Sequence, residues 1–307
     1  MSGILFSCII PCLDPKTDPY LPDLISSIKA QDFPQDRIEI LVISEGDSEE
    51  AKAIGIRKAK GDIIGMFCAD NMIMDKRLFK VVKGSFDEYP KWSAIYSRTY
   101  HHKKNDNSLN RYFSLIGGND PICYYLGKND RRPHVWQLQK KSNYQPSYGC
   151  NGTFYRSELI KATDLEHYYP MDNSLDVPGE FMPMMSGSIW HRTSDNLISF
   201  LKKRYRYARD LYCDRNDRRW KMLDTKEDYW NLFKFVFGTL TIIGPIRASL
   251  VGYSRIRDWA WFWHWPVCLG FLITYSILAF RNLFKHGRLF QCQQAPLLSR
   301  PSTVPSV

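Results

Sequence analysis

The stretch Gly61-Asp62-Ile63-Ile64-Gly65-Met66-Phe67-Cys68-Ala69-Asp70-Asn71 reads as an apolar strand that stops on a carboxylate. A continuous apolar run suits a strand covered on both faces, the kind found in parallel sheets flanked by helices. In open α/β sheets, ligands gather beyond the carboxyl ends of the strands. An aspartate in that place can hold a divalent cation, and the cation can hold a diphosphate.

The neighbouring segments repeat the alternation. Ile4 to Pro11 is a second buried strand, ended by Pro11. Between Asp18 and Gln31, Leu21, Leu24, Ile25 and Ile28 fall at helical spacing, and Asp32-Phe33-Pro34 stops the helix. Ile38 to Ile43 is a strand that breaks at the polar turn Ser44-Glu45-Gly46-Asp47-Ser48. Glu49 to Lys60 predicts a helix, Met74 to Tyr89 another, and Ser93 to Arg98 a strand. The pattern predicts an α/β fold, a mostly parallel sheet with helices on both faces.

Composition bounds the setting. A net charge of +10 favours anionic partners such as phosphates or an anionic membrane face. No nucleic-acid recognition motif accompanies that charge, and the basic residues cluster beside a hydrophobic tail. The eight cysteines, at 8, 12, 68, 123, 150, 213, 268 and 292, form no Cys-x-x-Cys pair. They read as reduced thiols of a cytosolic domain, without structural zinc. Met1 to Cys12 lacks a basic start and reads as a first strand, not a signal peptide.

In order and spacing, several pieces resemble the family 2 glycosyltransferases with the GT-A fold. They are Cys8-Ile9-Ile10-Pro11, the helix from Tyr20 to Pro34, Ile40-Leu41-Val42-Ile43-Ser44-Glu45-Gly46, the Asp70 segment, and Gly149-Cys150-Asn151-Gly152-Thr153-Phe154-Tyr155-Arg156. The resemblance implies a nucleotide lying along Pro11, Leu13 and Asp14. It implies Glu45 as acceptor of a hydrogen bond from the base, usually uracil, and Asp70 as the surviving carboxylate of a metal-binding Asp-x-Asp. Cys68 stands at the first acidic position of that motif and is a poor ligand for Mg²⁺ or Mn²⁺. His191, after Ile189-Trp190, matches a family histidine near the metal or diphosphate; a buried structural histidine reads equally well. Asn151 and Gly152 match a segment beside the donor sugar.

Other residues are read on their own chemistry. Gly117-Gly118-Asn119-Asp120-Pro121 is a turn by composition, or a loop in which Asn119 or Asp120 bonds sugar hydroxyls. Tyr112, Phe113, Tyr124 and Tyr125 around it either pack as core or line an acceptor groove. Inverting transfer, which the resemblance implies, needs one base to take the acceptor proton, and the family takes it from a segment soon after the Asn-Gly piece. There the resemblance offers Asp172 and Asp176, with Asp176 preferred for the apolar residue and family-like stretch that follow it; a solvated loop acid is the alternative for each. A phosphate acceptor needs little deprotonation. Lys202, Lys203, Arg204, Arg206 and Arg209 form a basic run suited to phosphate or lipid headgroups, or to a solvated face. The Gln-x-x-Arg-Trp signature of processive synthases is absent, which points to single-sugar transfer.

The tail is apolar. Trp259 to Phe280 carries one ionisable group, His264, and as a helix spans about 33 Å, enough for a hydrocarbon core. Four tryptophans at its start read as an interfacial belt. Leu232 to Val251 is either a second span or a helix lying in the interface. The expected organisation is a catalytic domain over 1–215, membrane-associated helices over 216–290 and a disordered tail over 291–307. The expected activity is transfer of one sugar from a nucleotide-sugar donor, a UDP-sugar, with Mg²⁺ or Mn²⁺. The expected acceptor is a polyprenyl phosphate or polyprenyl-diphosphate-linked saccharide at the cytosolic membrane face. The rival expectations are a soluble glycan or protein acceptor, and a GT-A module that has lost its chemistry.

Overall fold

The computed structural model describes residues 3–97, 100–127, 151–184, 187–212, 219–220, 222–223 and 225–286. In chain order the elements are β1 (Phe6–Pro11), α1 (Leu21–Lys29), β2 (Ile38–Ile43), α2 (Ser48–Lys58), β3 (Ile63–Met66), β4 (Asn71–Ile73), α3 (Leu78–Glu88) and β5 (Trp92–Ser97). Then come α4 (Ser108–Ile116), α5 (Pro121–Tyr125), β6 (Thr153–Arg156), α6 (Ser157–Lys161), α7 (Pro170–Asp176), β7 (Glu180–Met184) and β8 (Ile189–His191). The C-terminal part holds α8 (Leu197–Tyr212), α9 (Lys226–Leu240), α10 (Ile243–Arg255), a 3-10 turn over Trp259–Trp263, and α11 (His264–His286).

Six strands form one sheet in the order β2-β1-β3-β6-β5-β7, and β4 and β8 form a two-stranded ladder. Strand β1 runs parallel to β2 and β3, and β5 parallel to β7; β6 alone runs against its neighbours. The expected mostly parallel α/β sheet is therefore present. The period-2 pattern of β1 explains its two covers. Phe6, Cys8 and Ile10 face Leu24 of α1 and Phe79 of α3, while Ile9 joins Ala53 and Ile56 of α2. Strand β3 divides in the same way, with Ile63 in the first cluster and Ile64 and Met66 in the second.

The reversed strand positions the site. Pairing of Met66 with Thr153 starts β6 where β3 ends, and the Gly152 amide donates to the Met66 carbonyl at 2.9 Å. Asn151 thereby arrives beside the turn that carries Asp70.

The tail departs from the expected elements. Leu232 to Val251 is not one helix: α9 and α10 meet at a 90° bend, with Ile242 at φ +66°. The Trp259 to Phe280 segment opens as a 3-10 turn before α11 begins at His264. Its tryptophans do not form a common belt. Trp259 is exposed, but Trp263 donates from Nε1 to Ser108 Oγ at 2.8 Å and Trp265 to the Thr239 carbonyl at 3.2 Å. The expected boundary at 215 is crossed by one apolar cluster, in which Leu109, Tyr112, Phe113 and Ile122 pack with Phe200, Phe235 and Phe271. Tyr112 and Phe113 are thus core, whereas Tyr124 is exposed. Gly149 and Cys150, and the 291–307 tail, lie outside the described residues.

Phe6 centres the first cluster, stacked on Phe79 at 4.6 Å between ring centroids and edge-on to Phe33 at 5.2 Å. Replacement of this fully buried ring by Ala leaves a cavity that the surrounding rings cannot fill. Phe6→Ala is expected to cost about 3–5 kcal/mol, read as a lower urea midpoint at unchanged slope.

Candidate active site

Strands β1 and β2 end on a cleft of ≈ 480 Å³ lined by Pro11, Leu13 and Asp14 on one side and Gly46 and Asp47 on the other, with Ala69 at its edge. Local capping builds both walls. Asp47 caps α2 by accepting from the Glu49 and Glu50 amides at 2.8 and 2.9 Å. Asp18, also in the wall, accepts from the Tyr20 and Leu21 amides at 2.9 Å and sets the start of α1. Three carboxylates, Asp14, Asp18 and Asp47, suit the hydroxyls and N–H groups of a nucleoside better than its phosphates. The sequence reading included Asp14 but passed over Asp18 and Asp47, because capping residues look like turn punctuation. Glu45 is exposed and pairs with Lys58 at 3.0 Å, while its neighbours Gly46 and Asp47 line the cleft.

Beyond Ala69 the chain turns, and Asp70 meets His191. The β4–β8 ladder sets Asn71 opposite His191, and the Arg192 amide donates to the Asp70 carbonyl at 3.0 Å. His191 Nε2 stands 3.4 Å from Asp70 Oδ1, a buried oxygen that has no well-aligned hydrogen bond among the described residues. Burial works against the charged carboxyl, but the charge and polar contact of His191, with Lys203 adding to them, outweigh it, so the Asp70 pKa lies below its ordinary value.

An orphaned carboxylate oxygen beside an imidazole is a fitting donor pair for a divalent cation. Neighbouring ligands of an octahedral ion bound at about 2.1 Å stand about 3 Å apart. Among the described residues, no group of three or more His, Cys, Asp or Glu side chains converges on such a point. Cys68 therefore does not complete such a set, and a cation held here would need further ligands from outside these side chains.

A second layer holds this pair. Asn71, buried, accepts at Oδ1 from the Cys68 amide at 2.9 Å and donates from Nδ2 to Asn151 Oδ1 at 3.1 Å. Asn151 in turn donates to the Tyr100 hydroxyl at 2.8 Å, and the Tyr100 ring lies 4.9 Å from that of His191. Asn151 thus supports the site from behind through both ends of its amide. Gly152 has φ +77°, and a Cβ there would lie 2.6 Å from Ile189 Cγ1, so only glycine lets β6 start this close to β8. Tyr100 was absent from the sequence reading. It follows β5 with no motif of its own, and only the tertiary fold brings it here.

Other expected site residues serve the fold. Asp120 is buried; its Oδ1 caps α5 by accepting from the Ile122 amide at 2.9 Å. Its Oδ2 accepts from Tyr275 of α11 at 2.8 Å and from Arg204 of α8. It sits in a buried contact instead of an open loop, and Arg204, expected at a headgroup, is engaged by it. Asn119 accepts from Thr193 Oγ1 at 3.4 Å, and the same oxygen lies 3.4 Å from His191 Nδ1. Asp172 is buried and accepts from the Arg219 and Trp220 amides at 3.2 and 2.6 Å. Asp176 is held by the Arg219 guanidinium at 2.8 and 2.5 Å. Neither candidate base stands unengaged. Lys202, Lys203 and Arg206 are exposed along α8, Arg209 is half-buried, and Lys203 is the one whose field reaches Asp70.

No protein-family model and no curated protein matches the chain. Solved structures do match. A mannosyltransferase from Pyrobaculum calidifontis, in complex with GDP-Man and Mn²⁺, is 13% identical over 92% of this chain and 87% of its own, with a TM-score of 0.50. Residues 1–349 of S. aureus TarS, in complex with UDP-GlcNAc, are 15% identical over 91% of this chain and 83% of their own, with a TM-score of 0.40. The first likeness is one of fold, in keeping with a GT-A architecture.

The lowered Asp70 pKa has a consequence for stability. A folded value below the unfolded one stabilises the protein fully above the ordinary carboxylate value of about 3.9, and this contribution is lost as pH falls through the depressed value. In metal-free buffer Asp70→Asn should be less stable than the parent at neutral pH. The gap in urea midpoint should close on acidification through that window; a gap independent of pH would contradict the ionised pairing.

Proposed function

We propose that the chain is a glycosyltransferase that moves one sugar from a nucleotide-sugar donor to an acceptor at a membrane surface. The observation that carries this reading is the orphaned Asp70 oxygen beside His191, next to an acid-walled cleft at the carboxyl end of the sheet. The mannosyltransferase of similar fold, which binds GDP-Man and Mn²⁺, supports a nucleotide-sugar donor. A UDP-sugar remains the expected donor from the Glu45 segment.

The chain's own residues divide the work. The β1 and β2 ends hold the nucleoside, and Asp70 with His191 faces the diphosphate. A bound Mg²⁺ or Mn²⁺ neutralises the charge that builds on the departing diphosphate. An acceptor oxygen attacks the anomeric carbon as the bond from that carbon to the diphosphate oxygen breaks, and the electron pair leaves with the diphosphate. In-line attack inverts the anomeric centre. Lys203 lies on the side where further negative charge is favoured.

The engagement of Asp172 and Asp176 by Arg219 and its neighbour favours an acceptor already ionised. A polyprenyl phosphate meets that condition, and a polyprenyl-diphosphate-linked saccharide is the next choice. None of the five described cysteines forms a disulfide, in keeping with a domain facing the cytosol.

Asp70→Ala, folded as judged by circular dichroism, should lose turnover of the donor by on the order of 100-fold or more. It should also lose the thermal stabilisation given by nucleotide sugar with Mn²⁺. Unchanged turnover would remove Asp70 from the site. Asp176→Asn should keep turnover within a few-fold on a polyprenyl phosphate; a loss of roughly 100-fold or more would make it a general base acting on a hydroxyl acceptor. Product label that stays in the aqueous phase after organic extraction would point to a soluble acceptor instead.

A further inference from the structure

One helical stretch, Trp259–Phe284 with mean hydropathy 1.7, is long and apolar enough to cross a membrane, and the bent α9–α10 pair passes the same test together. Packing argues against crossing by either. The α9–α10 pair begins at the Thr225 cap and returns at Asp258. Asp258 is tied to the sheet-bearing part: it accepts from Arg111 Nε at 2.9 Å and Nη2 at 3.2 Å, and lies 2.8 Å from His102 Nε2. Two limbs of 15 and 13 residues reach about 22 and 20 Å, and the right angle between them shortens the penetration further. A hydrocarbon core is about 30 Å thick.

Helix α11 is lined by α8 through the middle of its apolar run. A Cβ on Gly270 would lie 2.6 Å from Leu201 Cδ1; Phe200 and Phe271 ring centroids are 5.9 Å apart. Arg204 donates to Tyr275 OH at 3.1 Å, and Arg281 to Tyr205 OH at 3.2 Å. If α11 spanned a bilayer in this arrangement, α8 would carry the exposed Lys202, Lys203 and Arg206 to its centre, where cations are disfavoured.

The surface left open is apolar and rimmed with positive charge. On α9, Trp230, Phe233 and Phe237 are exposed and stack in a row at 5.3 and 6.2 Å. Leu240 and Ile243 protrude at the bend, and Ile273, Ile277, Phe280 and Phe284 form an exposed stripe on α11. Lys226, Lys234, Arg247, Arg255 and Arg257 are exposed around the elbow, with Glu227 the one exposed acid between 225 and 257. Lipid acyl chains fit the stripe, and anionic headgroups fit the rim.

We propose that α9, α10 and the outer stripe of α11 form one lipid-facing surface that beds the chain in a single leaflet of an anionic bilayer, with no segment among the described residues crossing it. The attachment is independent of the transfer chemistry: vesicle binding and donor turnover are separate readouts, so failure of one is distinguishable from failure of the other.

The full chain with a C-terminal epitope tag is assayed by flotation with phosphatidylcholine vesicles, with and without phosphatidylglycerol. Binding should favour the anionic vesicles, and the F233E/F237E pair should weaken it about tenfold or more. The charge-reversed R247E/R255E chain, which leaves the apolar stripe intact, should lose the anionic preference and covers the case in which the first pair fails to fold. In cell membranes protease should remove the tag from the side that exposes the catalytic domain, and L240C at the bend should not react with an impermeant maleimide applied from the opposite side. Labelling of L240C from the opposite side, or a tag shielded there, would overturn the inference in favour of a span. A dimer in lipid-free buffer that F233E/F237E dissociates would give the surface to a second copy and would equally overturn it.

Discussion

The pairing of Asn71 with His191 is the constraint on which the site depends. It is one rung of a three-residue antiparallel ladder, outside the main sheet. Without it, Asp70 would be a strand-end carboxylate facing water, able to cap a turn. With it, an imidazole lies 3.4 Å away and one carboxylate oxygen is enclosed without a well-aligned hydrogen bond among the described residues. A buried acceptor without a donor is costly unless something else meets it. The second layer shows where the fold compensates: Asn71, Asn151 and Tyr100 satisfy one another in a chain that fixes the turn, the start of β6 and the face of the imidazole. The open valence is concentrated on one oxygen.

Most of the sheet was legible because its signals are local. Uninterrupted apolar runs broken by proline or glycine mark β1 and β3, and Ile38 to Ile43 matches β2 at both ends. The helix flanks were less so. Met74 to Tyr89 shortens to Leu78–Glu88, since the first residues turn beside β4 instead of entering the helix. The mostly apolar stretch at 232–251, interrupted by Lys234, Pro245 and Arg247, concealed a right-angled break, because hydrophobicity is shared by a straight helix and by an elbow whose outer face is apolar. Neither a glycine nor a proline marks the point itself: Ile242 takes the left-handed conformation there.

The site was legible in part. Asp70 and His191 were each readable, but their meeting was not, since 120 positions separate them in sequence and no spacing rule connects them. Acidic residues misled where their partners were remote. Asp120 sits in a turn that looks solvated, yet Tyr275 and Arg204 converge on it from helices far along the chain. Asp172 and Asp176 look like loop acids suited to proton transfer, yet Asp172 accepts from the Arg219 and Trp220 backbone amides and Asp176 from the Arg219 guanidinium. A carboxylate's role is set by the donors that reach it, and a basic residue's availability by the acid it already holds.

Asp120 also joins the apolar helical layer to the polar site. Helix α8 is shared between them. Its Leu201 and Arg204 lock onto α11, whereas the field of Lys203 reaches Asp70. Asp120 fixes that division, because its two oxygens join α5, α8 and α11 at one buried point, and the preceding Asn119 leads through Thr193 to His191. A hydrocarbon tail resting along the α11 stripe, as proposed, would lie on a helix packed against α8, whose Lys203 acts on Asp70. An anionic headgroup on such a tail would meet positive potential there, and Asp120 ties the two surfaces together by bonding both helices. The coupling rests on one enclosed carboxylate with donors on both oxygens, in contrast to Asp70, whose Oδ1 has no well-aligned donor among the described residues.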